Sequence, residues 1–161
     1  MKTRITELFG ISVPLVLPGM SWISTPQLVA AVSNAGGLGI LASGPLNPEQ
    51  TRAAIHEIRS LTDKPFGVGV TLLIKRAHEY GGKVIATVVS EKHAKSAEKI
   101  GADALLVTGH EAAAHGGNVT SLVLIPSIAS KVSIPVIATG GFADGRGLLA
   151  ALSLGAEGVA M

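Results

Sequence analysis

Apolar residues fall into seven short runs separated by amphipathic stretches. The runs are Val13–Gly19, Leu38–Ser43, Phe66–Leu73, Lys83–Ser90, Ala104–Gly109, Pro135–Gly141 and Gly158–Met161. Such aliphatic runs are the mark of parallel strands buried on both faces. The stretches between them carry helix signals. Thr25-Pro26 supplies an N-cap and a first-turn proline, and the helix it opens stops near Ala35 at Gly36-Gly37. Asn47-Pro48-Glu49 repeats the signal, and the following helix places Ala53, Ile55, Ile58 and Leu61 roughly on one face. Helices are also predicted over Glu91–Ile100, Ser121–Val132 and Asp144–Leu154.

This alternation predicts an α/β fold, a TIM-type (β/α)8 barrel. All of these runs but the third, which ends at Leu73, end in Gly, Ser or Met. A parallel barrel places its chemistry at the C-terminal ends of its strands, so those ends read as functional. A doubly wound open sheet is the alternative. It needs no eighth strand, but it does not explain such residues at nearly every strand end.

One connection breaks the rhythm. Only nine residues, Ile74–Gly82, separate the third and fourth runs. A parallel crossover with its helix takes at least about 10–12 residues. The count is seven strands where a closed barrel needs eight. The expectation is therefore one domain over residues 1–161, an incomplete barrel lacking a strand–helix segment, with a break near 73/74. A genuine deletion is the competing explanation.

Composition narrows the function classes. Hydrophobic residues make up 47% and aromatic ones only 3%, so Ala, Val, Ile and Leu must build the core. A net charge of +2 argues against nucleic acid or an anionic membrane as partner. The absence of cysteine excludes disulfides, thiolate metal sites and cysteine nucleophiles, and fits a reducing compartment. The N-terminus lacks the apolar core of a signal peptide, and no apolar run reaches the ~18 residues of a membrane span. A cytoplasmic protein is expected.

Two segments suggest chemistry most directly. Thr139-Gly140-Gly141 ends a strand, and Asp144-Gly-Arg-Gly147 opens the next helix. Glycines there let backbone N–H groups approach a phosphate, and the helix N-terminus favours negative charge. A tight βα turn is the plain alternative. The second segment is Glu111-Ala-Ala-Ala-His115-Gly-Gly117. His115 follows a strand end, and a neutral imidazole suits proton abstraction near neutral pH. Ala114 and Gly116 beside it leave room for a substrate. Glu111, four residues earlier, could orient the ring. His110 is a second candidate, and a histidine bonded to loop backbone is the alternative for His115.

Other features carry less. Gly19 would let a flat ring pack on backbone, whereas Met20 fits core packing equally well. Gly36-Gly37-Leu38-Gly39 precedes a strand, so it fails as a dinucleotide fingerprint and reads as a helix C-cap. His56, His78 and His93 read as solvated helix residues. No spacing completes a metal site, and no Gly-x-Ser-x-Gly elbow supports a serine triad.

Together these segments resemble the nitronate monooxygenase family, formerly 2-nitropropane dioxygenases. The resemblance rests on Pro18-Gly19-Met20, Ala35-Gly-Gly-Leu-Gly-Ile40, Glu111-x-x-x-His115-x-Gly117 and Thr139-Gly-Gly-Phe-Ala-Asp-Gly-Arg-Gly147. It implies FMN as cofactor in a TIM-type barrel. It puts Gly19 and Met20 beside the flavin ring, Gly140 and Gly141 at its phosphate, and His115 as catalytic base or active-site acid. The family commonly continues with Gly-Thr-Arg-Phe after the last strand, and has an extra strand–helix segment at the short crossover. Two departures stand out. Ala113-Ala114 replaces glycines found in many members. Many nitronate-oxidising members also have a lysine on the strand holding Ala86-Thr87-Val88, most closely at Thr87, which is thereby a cofactor-side position without its cation.

The activity so implied is oxidation of small alkyl nitronates by O2 to a carbonyl compound and nitrite. A homo-oligomer is compatible with it. One alternative is an FMN-dependent, NAD(P)H-consuming enoyl-acyl-carrier-protein reductase. Another is a truncated, non-catalytic barrel.

Overall fold

Parallel strand pairing organises each of two units. The computed structural model describes residues 1–70 and 74–161. The expected end of the third strand at Leu73, and the junction at 73/74, lie outside the described residues. One unit comprises Met1–Lys2 and Thr6–Thr71, the other Thr3–Ile5 and Leu72–Met161.

The first unit holds strands β1 (Leu15–Leu17), β2 (Leu38–Ala42) and β3 (Phe66–Gly69), in spatial order β3-β2-β1. Val16 pairs with Leu38, and Gly39 with Phe66. Helix α2 (Pro26–Asn34) starts at its predicted cap, where Thr25 accepts from the Leu28 N–H. It ends with Gly36 at φ +93° and N–H bonds from Gly36 to Ser33 and from Gly37 to Val32, the helix C-cap read from the glycines. Helix α3 (Pro48–Leu61) opens on a full capping box between Asn47 and Gln50. Its buried face is Ala54 and Ile58, with Ile55 half-buried. Ala53 and Leu61 are exposed, so the expected face was misplaced at its two ends. A methyl group on Gly39 would stand 2.4 Å from the Val29 carbonyl oxygen, so glycine lets α2 settle on β2. The core here is Leu17, Val29, Leu41, Ala54 and Ile58.

The second unit holds β4 (Ile85–Val88), β5 (Ala104–Thr108), β6 (Val136–Thr139) and β7 (Gly158–Ala160), in spatial order β7-β6-β5-β4. Thr87 lies opposite Leu106, Thr108 opposite Thr139, and Thr139 opposite Ala160. Helices α4 (Ile74–Glu79), α5 (Glu91–Lys99), α6 (Ser121–Ala129) and α7 (Gly145–Ser153) alternate with the strands. Ala94, Leu105, Val107, Ile125, Ile128, Ala138 and Val159 form its aliphatic core. No aromatic ring is buried among them, as the composition required.

The alternating order of helices and parallel strands is that of a TIM-type barrel, with seven of its eight strands among the described residues. Helix α1 (Arg4–Phe9) precedes it and was not anticipated, since six residues give too little periodicity to read. No helix among the described residues is long and apolar enough to cross a membrane.

Candidate functional site

In the first unit the loop after β1 is shaped by Ser24. Its buried hydroxyl donates to the Pro18 carbonyl at 2.7 Å and accepts from the Met20 N–H at 2.9 Å. This turns the chain sharply, and Trp22 takes φ +66°, the only non-glycine residue with positive φ among those described. Gly19 lines an open cleft of about 450 Å³ with Ser21, Ala42, Ser43, Gly44, Gly69 and Val70, at the strand ends of this unit. Met20 does not line it. Its side chain is partly buried and packs against the Leu17–Val29–Leu41 core.

In the second unit Gly140 and Gly141 both have left-handed backbone, at φ +111° and +79°. A methyl group on Gly140 would lie 2.9 Å from Ser121 Oγ, 3.2 Å from the Ala112 nitrogen and 3.3 Å from the Gly109 carbonyl oxygen. The turn after β6 therefore sits directly against the loop after β5. That loop is held by backbone bonds from His110 to Val119 and from Ala112 to Gly109.

Glu111 has a different task from the one expected. Its carboxylate accepts from the Ser121 N–H at 2.9 and 3.1 Å and from the Ser121 hydroxyl at 2.8 Å. Thr120, the N-cap of α6, makes no side-chain capping bond, so Glu111 serves the helix end instead. Burial pushes the Glu111 carboxyl up, but N–H bonds from Glu111 and Ser121, the Ser121 hydroxyl and the nearby His110 outweigh it and hold it below the usual range. Glu111 does not orient His115. That ring is exposed and makes no hydrogen bond among the described residues. The other loop histidine, His110, has Nδ1 3.3 Å from the Gly117 carbonyl oxygen.

The small residues around His115 differ in kind. A methyl group on Gly116 would come 2.9 Å from the Gly109 carbonyl, so this position needs glycine. Ala114 is exposed. Gly117 passes close to the end of β4, its would-be methyl 3.2 Å from the Val89 carbonyl oxygen. Thr87 is exposed on β4, two residues before that point.

The helix end expected to hold an anion is already occupied. Asp144 caps α7, accepting from the Arg146 N–H at 2.9 Å and the Gly147 N–H at 3.2 Å, and pairs with the Arg146 guanidinium. The Arg146 bond and then the two N–H bonds hold its carboxyl below the usual range. A phosphate at this turn would thus rest on Gly140 and Gly141, not on the first turn of α7. Ser121 was missed by sequence reasoning. It looked like an ordinary first residue of a helix, and its partners lie 10 and 19 positions away.

The nitronate monooxygenase family profile matches residues 2–80 and 69–161. A (3aS,4S,5R,7aS)-5-hydroxy-7a-methyl-1-oxo-octahydro-1H-indene-4-carboxyl-CoA dehydrogenase of Rhodococcus jostii is 41% identical over 190 aligned positions, covering 100% of this chain and 54% of that protein. A probable nitronate monooxygenase of Staphylococcus aureus is 32% identical, covering 99% of this chain and 66% of the relative. The solved structure of FabK from Thermotoga maritima superimposes with a TM-score of 0.97 at 43% identity, covering 100% of this chain and 61% of that one. Nitroalkane oxidase from Streptomyces ansochromogenes shares the fold, with a TM-score of 0.82 at 24% identity. The chain spans about half the length of the CoA dehydrogenases it matches. The Rhodococcus alignment has 190 positions against 161 residues here, so that relative carries residues between matched segments that this chain does not have. Matching family segments over nearly its whole length, the chain belongs to the nitronate monooxygenase family of oxidoreductases.

Proposed function

We propose that this chain is the FMN-binding part of an oxidoreductase acting on the acyl portion of a thioester, with a nicotinamide cofactor as redox partner. The reading is carried by a step in similarity. A CoA-thioester dehydrogenase and FabK, an enoyl reductase, stand at 41% and 43% identity, whereas the probable nitronate monooxygenases stand at 32%. Thr87 agrees with it. The resemblance puts a lysine there in many nitronate-oxidising members, and this chain offers an exposed, uncharged hydroxyl.

The residues present fit the phosphate of FMN. Gly140 and Gly141 form a left-handed turn in which a side chain would be strained, which leaves backbone open to an anion. The family resemblance puts Gly19 beside the flavin ring, and Gly19 lines an open cleft in the first unit. The flavin, when bound, supplies the redox chemistry. His115, exposed in a loop of small residues, is placed to exchange a proton with substrate. Ala114 and Gly116 flank that position.

Oxidation of alkyl nitronates with O2 is the second reading, favoured by the family match and the Staphylococcus relatives. The visible spectrum of the FMN-loaded protein separates the two. Anaerobic bleaching by NADH or NADPH, with reoxidation by an enoyl thioester, supports the reductase reading. Bleaching or semiquinone formation with propyl-2-nitronate, and none with either nicotinamide, overturns it in favour of the nitronate reading.

A further inference from the structure

Ser121 Oγ lies 2.9 Å from the Gly140 carbonyl oxygen and 2.8 Å from the Glu111 carboxylate. Ser121 is buried, at 5% exposure, and its own N–H is also held by Glu111. Three segments therefore meet at one hydroxyl: the loop after β5, the first turn of α6 and the glycine turn after β6.

The consequence follows from peptide geometry. No cis peptide occurs among the described residues. In a planar trans peptide the C=O and the next N–H point in opposite directions. Fixing the Gly140 carbonyl on Ser121 therefore turns the Gly141 N–H away from the buried serine. Gly141 itself is exposed in the turn after β6. Glycine at φ +111° has no steric preference strong enough to hold this orientation by itself. Something outside the turn must select it.

We infer that Ser121, steadied by Glu111, is a positioning residue that aims the Gly141 N–H at the phosphate of FMN. The inference rests on the flavin reading above. Ser121 touches no phosphate itself, and it acts through the peptide between Gly140 and Gly141. Its hydroxyl has one proton and two acceptors in reach, so Glu111 steadies Ser121 through the backbone N–H while competing for the hydroxyl proton. A glutamine at 111 could donate to Ser121 Oγ and leave the proton to Gly140, whereas an alanine would remove the support.

The test compares FMN with riboflavin, which lacks the phosphate, by fluorescence titration of the full chain. Loss of one well-aimed N–H to a phosphate is worth roughly tenfold in affinity. Ser121→Ala is expected to weaken FMN binding about tenfold and leave riboflavin binding within about twofold, so that the FMN-to-riboflavin preference falls. Ser121→Thr and Glu111→Gln are expected to keep the preference, and Glu111→Ala to lose it. A merely structural role would weaken both flavins alike, and that result in Ser121→Ala would overturn the inference. If Ser121→Ala fails to fold, the Glu111→Ala and Glu111→Gln pair decides on the same ratio. An unchanged ratio in variants of a parent that prefers FMN sinks this inference alone. A parent without that preference sinks the flavin-phosphate reading and the inference with it.

Discussion

His78 on α4 and Asp103 before β5 meet at 2.8 Å between Nε2 and Oδ2. Asp103 also accepts from the Val84 N–H at 2.8 Å, and Lys83 Nζ lies 3.6 Å away. One carboxylate thus pins a short helix and the start of β4. His78 is exposed on its helix, as the sequence led us to expect, but it is also paired. Its partner is 25 positions away, and no local pattern announces such a pair.

The first expected outcome concerns acid. Burial pushes the Asp103 carboxyl up, but the Val84 N–H, His78 and Lys83 outweigh it, so its pKa lies below the ordinary 3.8. A carboxyl lowered on folding stabilises the fold at pH above its unfolded value. That contribution disappears as pH falls through the folded value. Asp103→Asn should lose stability near neutral pH, on the order of 1 kcal/mol, and flatten the acid limb below about pH 4. Urea unfolding across a pH series measures both. Parallel curves for the variant and parent would remove Asp103 from the acid response.

Gly140 offers a sharper test of the turn after β6. A side chain there would meet both left-handed backbone and the Ser121 hydroxyl at 2.9 Å. Gly140→Ala should cost roughly 2–4 kcal/mol, from the left-handed penalty plus displacement of Ser121. Thermal unfolding should show it as a clear drop in Tm. A change of less than about 0.5 kcal/mol, the size of an ordinary surface substitution, would mean that the turn adapts freely.

Much of this was legible in the chain because the signals were local. The caps at Thr25 and Asn47 and the stop at Gly36 were read correctly, since each is set by residues within five positions. The strands came out shorter than their apolar runs. Gly140 and Gly141 follow β6 in the sequence but lie outside the strand, which ends at Thr139. The roles of charged groups were harder to read. Glu111 and Asp144 were placed in the right segments, but their partners were not foreseen. Glu111 serves a helix that starts ten residues later, and Asp144 caps the very helix end that had looked free for an anion. Spacing shows that a carboxylate is near a loop, but not which of several N–H groups it will satisfy.

His115→Ala separates chemistry from folding. The ring is exposed and makes no hydrogen bond among the described residues. Stability should therefore change by less than about 0.5 kcal/mol. If His115 exchanges the substrate proton, the step that needs it should slow by about 100-fold or more, while flavin stays bound. Rapid mixing of the reduced protein with an enoyl thioester would follow that step alone. Equal rates in variant and parent would take His115 out of the proton-transfer role.

Gly19 makes the complementary case, a glycine that its own fold does not require. Its φ lies outside the left-handed range, and the nearest neighbours of an added methyl are at 3.4 Å or more, ordinary contact distances. Gly19→Ala should therefore fold with nearly unchanged stability, within about 0.5 kcal/mol. The methyl would sit beside Leu41 and Ala42, and Ala42 lines the same cleft, so a flat ring resting on this backbone would be displaced. The expected result is an unaltered Tm for the flavin-free protein with weakened binding of both FMN and riboflavin, because the ring is common to both. This is the opposite signature to that of Ser121→Ala, which acts on the phosphate end. Unchanged affinity for both flavins would place the ring away from Gly19. A fall in flavin-free stability would show that the glycine is needed by the loop between Pro18 and Ser24 and not by a ligand.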